Sequence, residues 1–114
     1  MTSLYFITLN NKVFNTRINS RTCLIGLPDR TIAKRVKKKL DLENIEISEI
    51  DYMKDEFYEM LKLNQFTLMI TNEVKFNNDN FELDGDVIDS PNVTNDELVR
   101  HLEKLHNLEN PEYF

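Results

Sequence analysis

The chain is short of the residues on which most recognisable chemistry depends. Cys23 is its only cysteine, so an internal disulfide is excluded and the cytoplasm, or another reducing intracellular compartment, is the expectation. Its only glycines are Gly26 and Gly85, and no Gly-x-Gly-x-x-Gly, P-loop or Gly-x-Ser-x-Gly motif is present. No apolar run approaches the roughly 20 residues of a membrane-spanning helix. The opening "MTSLYFITLNN" has no basic leader and turns polar too early for a signal peptide, and nothing in it resembles a transit peptide. Ala33 is the only alanine. Its scarcity beside abundant Asn, Lys and Ile points to an AT-rich genome, such as that of a low-GC bacterium, a protist or a large DNA virus. That bias also takes weight from lysine richness as a functional signal.

What is there suffices for one domain. At 114 residues, with 40% hydrophobic and 30% charged, the chain can bury about 65% of its unfolded surface around a single core without staples. Charge is divided unevenly. Residues 1–40 carry nine cations against Asp29 alone (+8), residues 41–114 five cations against nineteen carboxylates (−14), and the whole is −6. Overall acidity repels polyanions at long range, while the first third permits a local basic patch.

Hydrophobic periodicity organises the chain. "SLYFITLNNKVFNTRI" predicts two strands around an Asn10-Asn11 turn, with one continuous extended segment as the alternative. Leu4, Phe6 and Thr8 point one way, Tyr5, Ile7 and Leu9 the other, and apolar groups on both faces suggest a central strand. "RTCLIGL" is a third apolar run. Asp29 caps a helix, "RTIAKRVKKKL", whose Ile32, Ala33, Val36 and Leu40 recur at helical spacing. A strand alternating Ile45 and Ile47 with Glu46 and Ser48 follows. Next come an amphipathic helix with Met53, Phe57, Met60 and Leu61 facing inward, and a strand with Phe66, Leu68 and Ile70 on one face. "EVKFNNDNFEL" reads as a hairpin with its tip at 77–80, and "DGDVIDSPNV" as a loop that is the candidate hinge. Thr94 and Glu97 form a capping box, absorbing the Asn92-Val93-Thr94 sequon, and open a last helix over 95–108.

The expected fold class is therefore α/β (α+β): a single mixed sheet with amphipathic helices mainly on one face, plus a C-terminal helix. The order is ferredoxin-like in style without matching βαββαβ. Residues 1–90 form the α/β core domain, and 91–114 a helix and tail packed on that core or on a partner.

Few constellations carry chemistry. Arg30, Lys34, Arg35, Lys37, Lys38 and Lys39 could neutralise phosphates, with Arg17 and Arg21 nearby. Base recognition would add displayed aromatics, and Tyr5, Phe6 and Phe14 lie in the right region. The opposite reading is a solvated helix face, where Lys37, Lys38 and Lys39 also suit the macrodipole. "NFELDGDVIDSP" starts like an EF-hand, yet position twelve is Pro91 where a bidentate Glu belongs; only a weak site of Asp84, Asp86 and Asp89 would remain. His101 and His106 stand five apart and share no helical face. Cys23 reads as a structural thiol. No carboxylate pair stands out as an acid/base couple. Leu98, Leu102 and Leu105 form a seam that either covers this domain's own sheet or holds a partner, with Tyr113 and Phe114 adding apolar groups beyond it.

These observations lead to a small non-catalytic subunit acting through protein–protein contacts in a larger assembly, a virion component among the versions. Neither cofactor nor metal is expected. A protein partner or self-association is expected, a membrane is not, and the alternative is a nucleic-acid-binding accessory protein using the six cations.

Overall fold

Two tight turns fold the N-terminal third into a meander. Asn10 and Asn11 take positive φ (51° and 65°), as do Asn19 and Ser20 (52° and 68°), the backbone that a two-residue hairpin demands. They join β1 (Ser3–Leu9) to β2 (Lys12–Val13), and β3 (Asn15–Ile18) to β4 (Arg21–Gly26). The computed structural model describes residues 2–77, 80–83 and 85–109, without the side chains of 76, 77, 80, 81 and 106–109. Further along are α1 (Arg30–Leu40), β5 (Ile45–Asp51), α2 (Asp55–Leu63), β6 (Thr67–Ile70), the hairpin β7 (Val74–Asn77) and β8 (Asn80–Leu83), β9 (Asp86–Ile88) and α3 (Asn95–Glu109).

The fold is mixed α+β, the class expected from the sequence. The sheet is not one uninterrupted ladder, however. Its strands form three groups, β2-β1-β5, β3-β4-β6-β9 and β7-β8. Tyr5 and Leu27 stitch the first two together by exchanging both backbone hydrogen bonds (2.9 and 2.8 Å). Phe14 is the branch point: its N–H donates to the Ile7 carbonyl (2.7 Å) and its carbonyl accepts from Ile25 (3.1 Å). The strand over 12–18 thus leaves β1 for β4, and the spatial order runs β5, β1, β4, β6, β9. β1 is antiparallel to both β5 and β4, so β4, α1 and β5 make a split βαβ unit around β1. β4 pairs in parallel with β6, and the crossover between them spans both helices and β5. Consecutive strands along 21–71 are therefore not neighbours.

Side-chain alternation on β1 assigns the layers. Leu4 and Phe6 join Leu24, Leu68, Ile70 and Ile88 beneath α2 and α3, with the Phe6 and Phe57 rings tilted at 6.0 Å between centroids. Ile7 and Leu27, with Ile45 of β5, meet Ile32, Ala33 and Val36 of α1 on the opposite face. Cys23, Ile25 and Met69 form a smaller cluster backed by Phe14, Ile18 and Leu83. Two helices share one face as expected; the third covers the other because β1 is apolar on both.

Caps set the helix boundaries. An Asp29 carboxylate oxygen accepts from the Ile32 N–H (2.8 Å), and α1 ends at Asp41 in the left-handed region (φ 45°). At α3 the Thr94 hydroxyl accepts from the Glu97 N–H (3.2 Å) while the Glu97 carboxylate accepts from the Thr94 N–H (3.4 Å), the reciprocal capping box. Leu98 and Leu102 are 0% and 1% exposed, inside the same cluster as Phe57 and Leu61.

Two further expectations need correction. Met53 is 47% exposed rather than inward-facing, since it precedes the first turn of α2. The segment expected as a loop and hinge is pinned instead. β9 pairs antiparallel with β6, the buried Ser90 hydroxyl donates to the Phe66 carbonyl, and the Tyr58 hydroxyl donates to the Val93 carbonyl (2.7 Å). Gly85 permits this pairing, because a Cβ there would collide with the Ile70 carbonyl. Asp84, the hairpin tip at 78–79, and Tyr113 and Phe114 lie outside the described residues.

Tyr52, fully buried beside α3, makes the core sensitive to alkali. Burial pushes its phenol up to about 12, and the carboxylates of Glu103 and Asp51 push the same way. The folded state therefore favours the neutral phenol. This contribution is complete below the ordinary value near 10 and is lost as pH rises through about 12. Urea unfolding followed from pH 9 upward is expected to show stability falling between roughly 10 and 12, with a shallower fall in Tyr52→Phe.

Candidate functional site

The amphipathic spacing of α1 fixes where its charges go. Burying Ile32, Ala33 and Val36 against β1 and β5 leaves Arg30, Lys34, Arg35, Lys37, Lys38 and Lys39 exposed. The helix divides them between two flanks. Arg30, Lys34, Lys37 and Lys38 line an open groove of about 710 Å³ on the β5 side, whose other walls include Asp41, Leu42, Glu46 and Ile47. Arg35 and Lys39 border a smaller one of about 380 Å³ beside Asn72, Glu73 and Val74.

Neutralisation is sparse. Arg30 approaches Glu49 at 3.9 Å with both side chains more than half exposed, and among the described residues none of the other five has an ion-pair partner. Arg30 and Lys34, Lys34 and Lys38, and Arg35 and Lys39 are like-charged i,i+4 pairs, each unfavourable by about 0.2–0.5 kcal/mol. The macrodipole offsets part of this for Lys37, Lys38 and Lys39 in the last turn but opposes Arg30 in the first. Glu49 is held in place by the Ser3 hydroxyl, which donates to it at 3.2 Å, and by Tyr5. The Tyr5 phenol is pushed up first by burial and then by its hydrogen bond to Glu49. At the far end of β5 the Met53 N–H and the Thr2 hydroxyl both donate to Asp51 (3.0 and 2.8 Å) and hold its carboxyl below the usual range.

The remaining candidates lie apart from this surface. Leu98 and Leu102 are consumed by the domain's own core, and Leu105 is partly buried against it. Phe6 is buried, while Tyr5 and Phe14 pack beside the α1 cluster, so these aromatics are not displayed for base stacking. Cys23 is buried and desolvation pushes its thiol up. Glu82 lies in β8 and Asp86 in β9, while Asp89 is engaged by Arg21 (3.4 Å) and Asn92 (2.8 Å). Among the described residues no three His, Cys, Asp or Glu side chains are grouped to hold a metal, and no helix is long and apolar enough to cross a membrane.

Neither a protein-family model nor a curated protein matches this chain. The site must therefore be judged by its own geometry.

Two features escaped the sequence analysis. One is an apolar groove of about 500 Å³ at the β1–β2 turn, bordered by Leu9, Phe14, Leu40 and Leu42. The other is the position of β5 at the end of its ladder beside the cation-lined groove. Alternation of Ile45 and Ile47 identified the strand, but its lateral position depends on a partner forty residues away.

The cations of α1 are dispensable for folding, while its buried stripe is not. Replacing Lys34, Lys37 and Lys38 together by Gln is expected to leave stability within about 0.5 kcal/mol or raise it slightly. Val36→Ala is expected to cost about 2 kcal/mol. Urea unfolding of both variants checks this ordering.

Proposed function

We propose that this protein is a small non-catalytic subunit of a larger assembly that binds a protein partner through the outer surface of α1. The observation that carries this reading is the uncompensated charge: six exposed cations in eleven residues, three like-charged i,i+4 pairs, and one loose contact to Glu49. That arrangement works against the isolated helix and is relieved by carboxylates brought from outside. The leucine seam of α3, the other candidate contact, is occupied internally.

A protein partner fits better than a nucleic acid. The cations are split across two flanks and interspersed with Asp41, Glu46, Glu49 and Glu73, which a phosphate backbone would have to pass. Residues 41–114 add a charge of −14 that repels a polyanion. The nearby aromatics are packed away from an open sheet face. Carboxylates on a protein surface can instead be placed individually against Lys34, Lys37 and Lys38. Among the described residues no nucleophile or acid/base couple has a matching environment, which favours binding over catalysis.

Immobilised native chain and a Lys34→Glu, Lys37→Glu, Lys38→Glu variant are to be compared on native-source extracts at low and moderate salt. The native chain is expected to retain a protein that the variant loses and that salt weakens. Equal retention by both would contradict the proposal. Recovery that nuclease treatment abolishes would replace it with the nucleic-acid reading.

A further inference from the structure

We infer that the outer edge of β5 is a strand-pairing site for an extended, acidic segment of a partner protein, laid along the groove beside α1. This rests on the reading of the α1 cations as the contact surface and specifies what they meet. The register identifies which backbone groups are free. Tyr5 exchanges hydrogen bonds with Leu27, and the Ile7 carbonyl accepts from Phe14, so β1 turns these residues away from β5. In the antiparallel pairing Tyr5 lies opposite Glu49 and Ile7 opposite Ile47, which makes both pairs non-hydrogen-bonded. Consistently, the Tyr52 N–H donates to the Thr2 carbonyl and the Thr8 hydroxyl to the Glu46 carbonyl. Glu46, Ser48 and Ile50 thus bond inward to β1, and Ile45, Ile47 and Glu49 aim their N–H and C=O groups outward. Among the described residues no strand pairs on that side.

This edge has few of the usual defences. Seven successive pairs with β1 run without a bulge, and the strand "IEISEID" holds no proline; its charged groups are the carboxylates of Glu46, Glu49 and Asp51, which repel an anionic strand except where cations face it. The cations stand on α1 instead. A strand added antiparallel to β5 would set residues opposite Ile45, Ile47 and Glu49, with their side chains on the α1 side. Alternate residues of a strand are about 6.8 Å apart, and the row Arg30, Lys34, Lys38 advances about 6 Å per step. Carboxylates opposite Ile45 and Ile47 therefore face Lys38 and Lys34, while an uncharged residue belongs opposite Glu49, which already approaches Arg30.

The same geometry disfavours a second copy as occupant. Two β5 edges paired antiparallel about Ile47 would place both α1 helices on one side of the joined sheet. The flanks carrying Arg30, Lys34, Lys37 and Lys38 would then confront each other, like charge against like.

The probe is an acetylated, amidated peptide, Thr-Val-Thr-Thr-Glu-Val-Glu, titrated into the isotope-labelled full chain; paired antiparallel over 45–51 it sets its carboxylates opposite Ile47 and Ile45 and threonines opposite Asp51 and Glu49. A matched peptide carries N-methyl groups on alternate backbone amides, keeping charge while blocking pairing. The unmodified peptide is expected to shift the amide resonances of Ile45, Ile47 and Glu49 and slow their exchange. Binding is expected to weaken at least tenfold for the methylated peptide and for a Lys34→Glu, Lys38→Glu chain. Equal binding of the methylated peptide overturns the inference while leaving α1 as an electrostatic surface. So does failure of the acidic peptide to bind a chain whose charge-reversed form loses its partner, since the partner then docks without the edge. A twelve-nucleotide single strand that outcompetes the peptide and leaves those amides unchanged also overturns it.

Discussion

The double burial of β1 is the constraint from which the architecture follows. Leu4 and Phe6 on one face and Ile7 on the other are each almost completely removed from water, so the strand must be covered from both sides. α2 and α3 meet the first demand and α1 the second. A one-residue slip of β1 would exchange the two sets of side chains and leave both helix layers without their complement. The register against β5 is correspondingly continuous over seven pairs. The connection to β4 through Tyr5 and Leu27 then decides which backbone groups of β1, and hence of β5, face which neighbour.

The surface charge is a consequence of this layering. Once Ile32, Ala33 and Val36 are committed to β1, every cation of α1 is forced outward, and the groove beside β5 inherits four of them. Nothing in the core requires that density of positive charge. Gln at those positions would serve the helix about as well and would avoid the i,i+4 repulsion. The strand edge, the groove and the row of cations are thus three products of one packing decision, and they meet at Glu46, Ile47 and Glu49.

Local signals in the sequence gave the elements and their ends. The Asn10-Asn11 turn, the Asp29 cap, the Thr94–Glu97 box, the alternation through Ile45 and Ile47, and the stripe of Ile32, Ala33 and Val36 all depend on residues within a turn or two of one another. Lateral arrangement was not legible, because β5 lies beside β1 rather than β4 only through pairings between residues more than thirty positions apart. The short β9 was hidden for a related reason: three residues in a polar stretch become a strand because β6 offers an edge. Met53 shows the limit of periodicity, since it keeps the helical spacing but lies outside the helix. Among the candidate site residues, the six cations were identified with their surface, whereas the groove and free edge that give them a neighbour required the register.

Amide hydrogen exchange on the free chain tests that register most directly. Glu46, Ser48 and Ile50 are expected to exchange slowly, through opening of the β1–β5 ladder, and Ile45, Ile47 and Glu49 much faster through the unpaired edge. Similar protection of both sets, or the reverse order, would contradict the account.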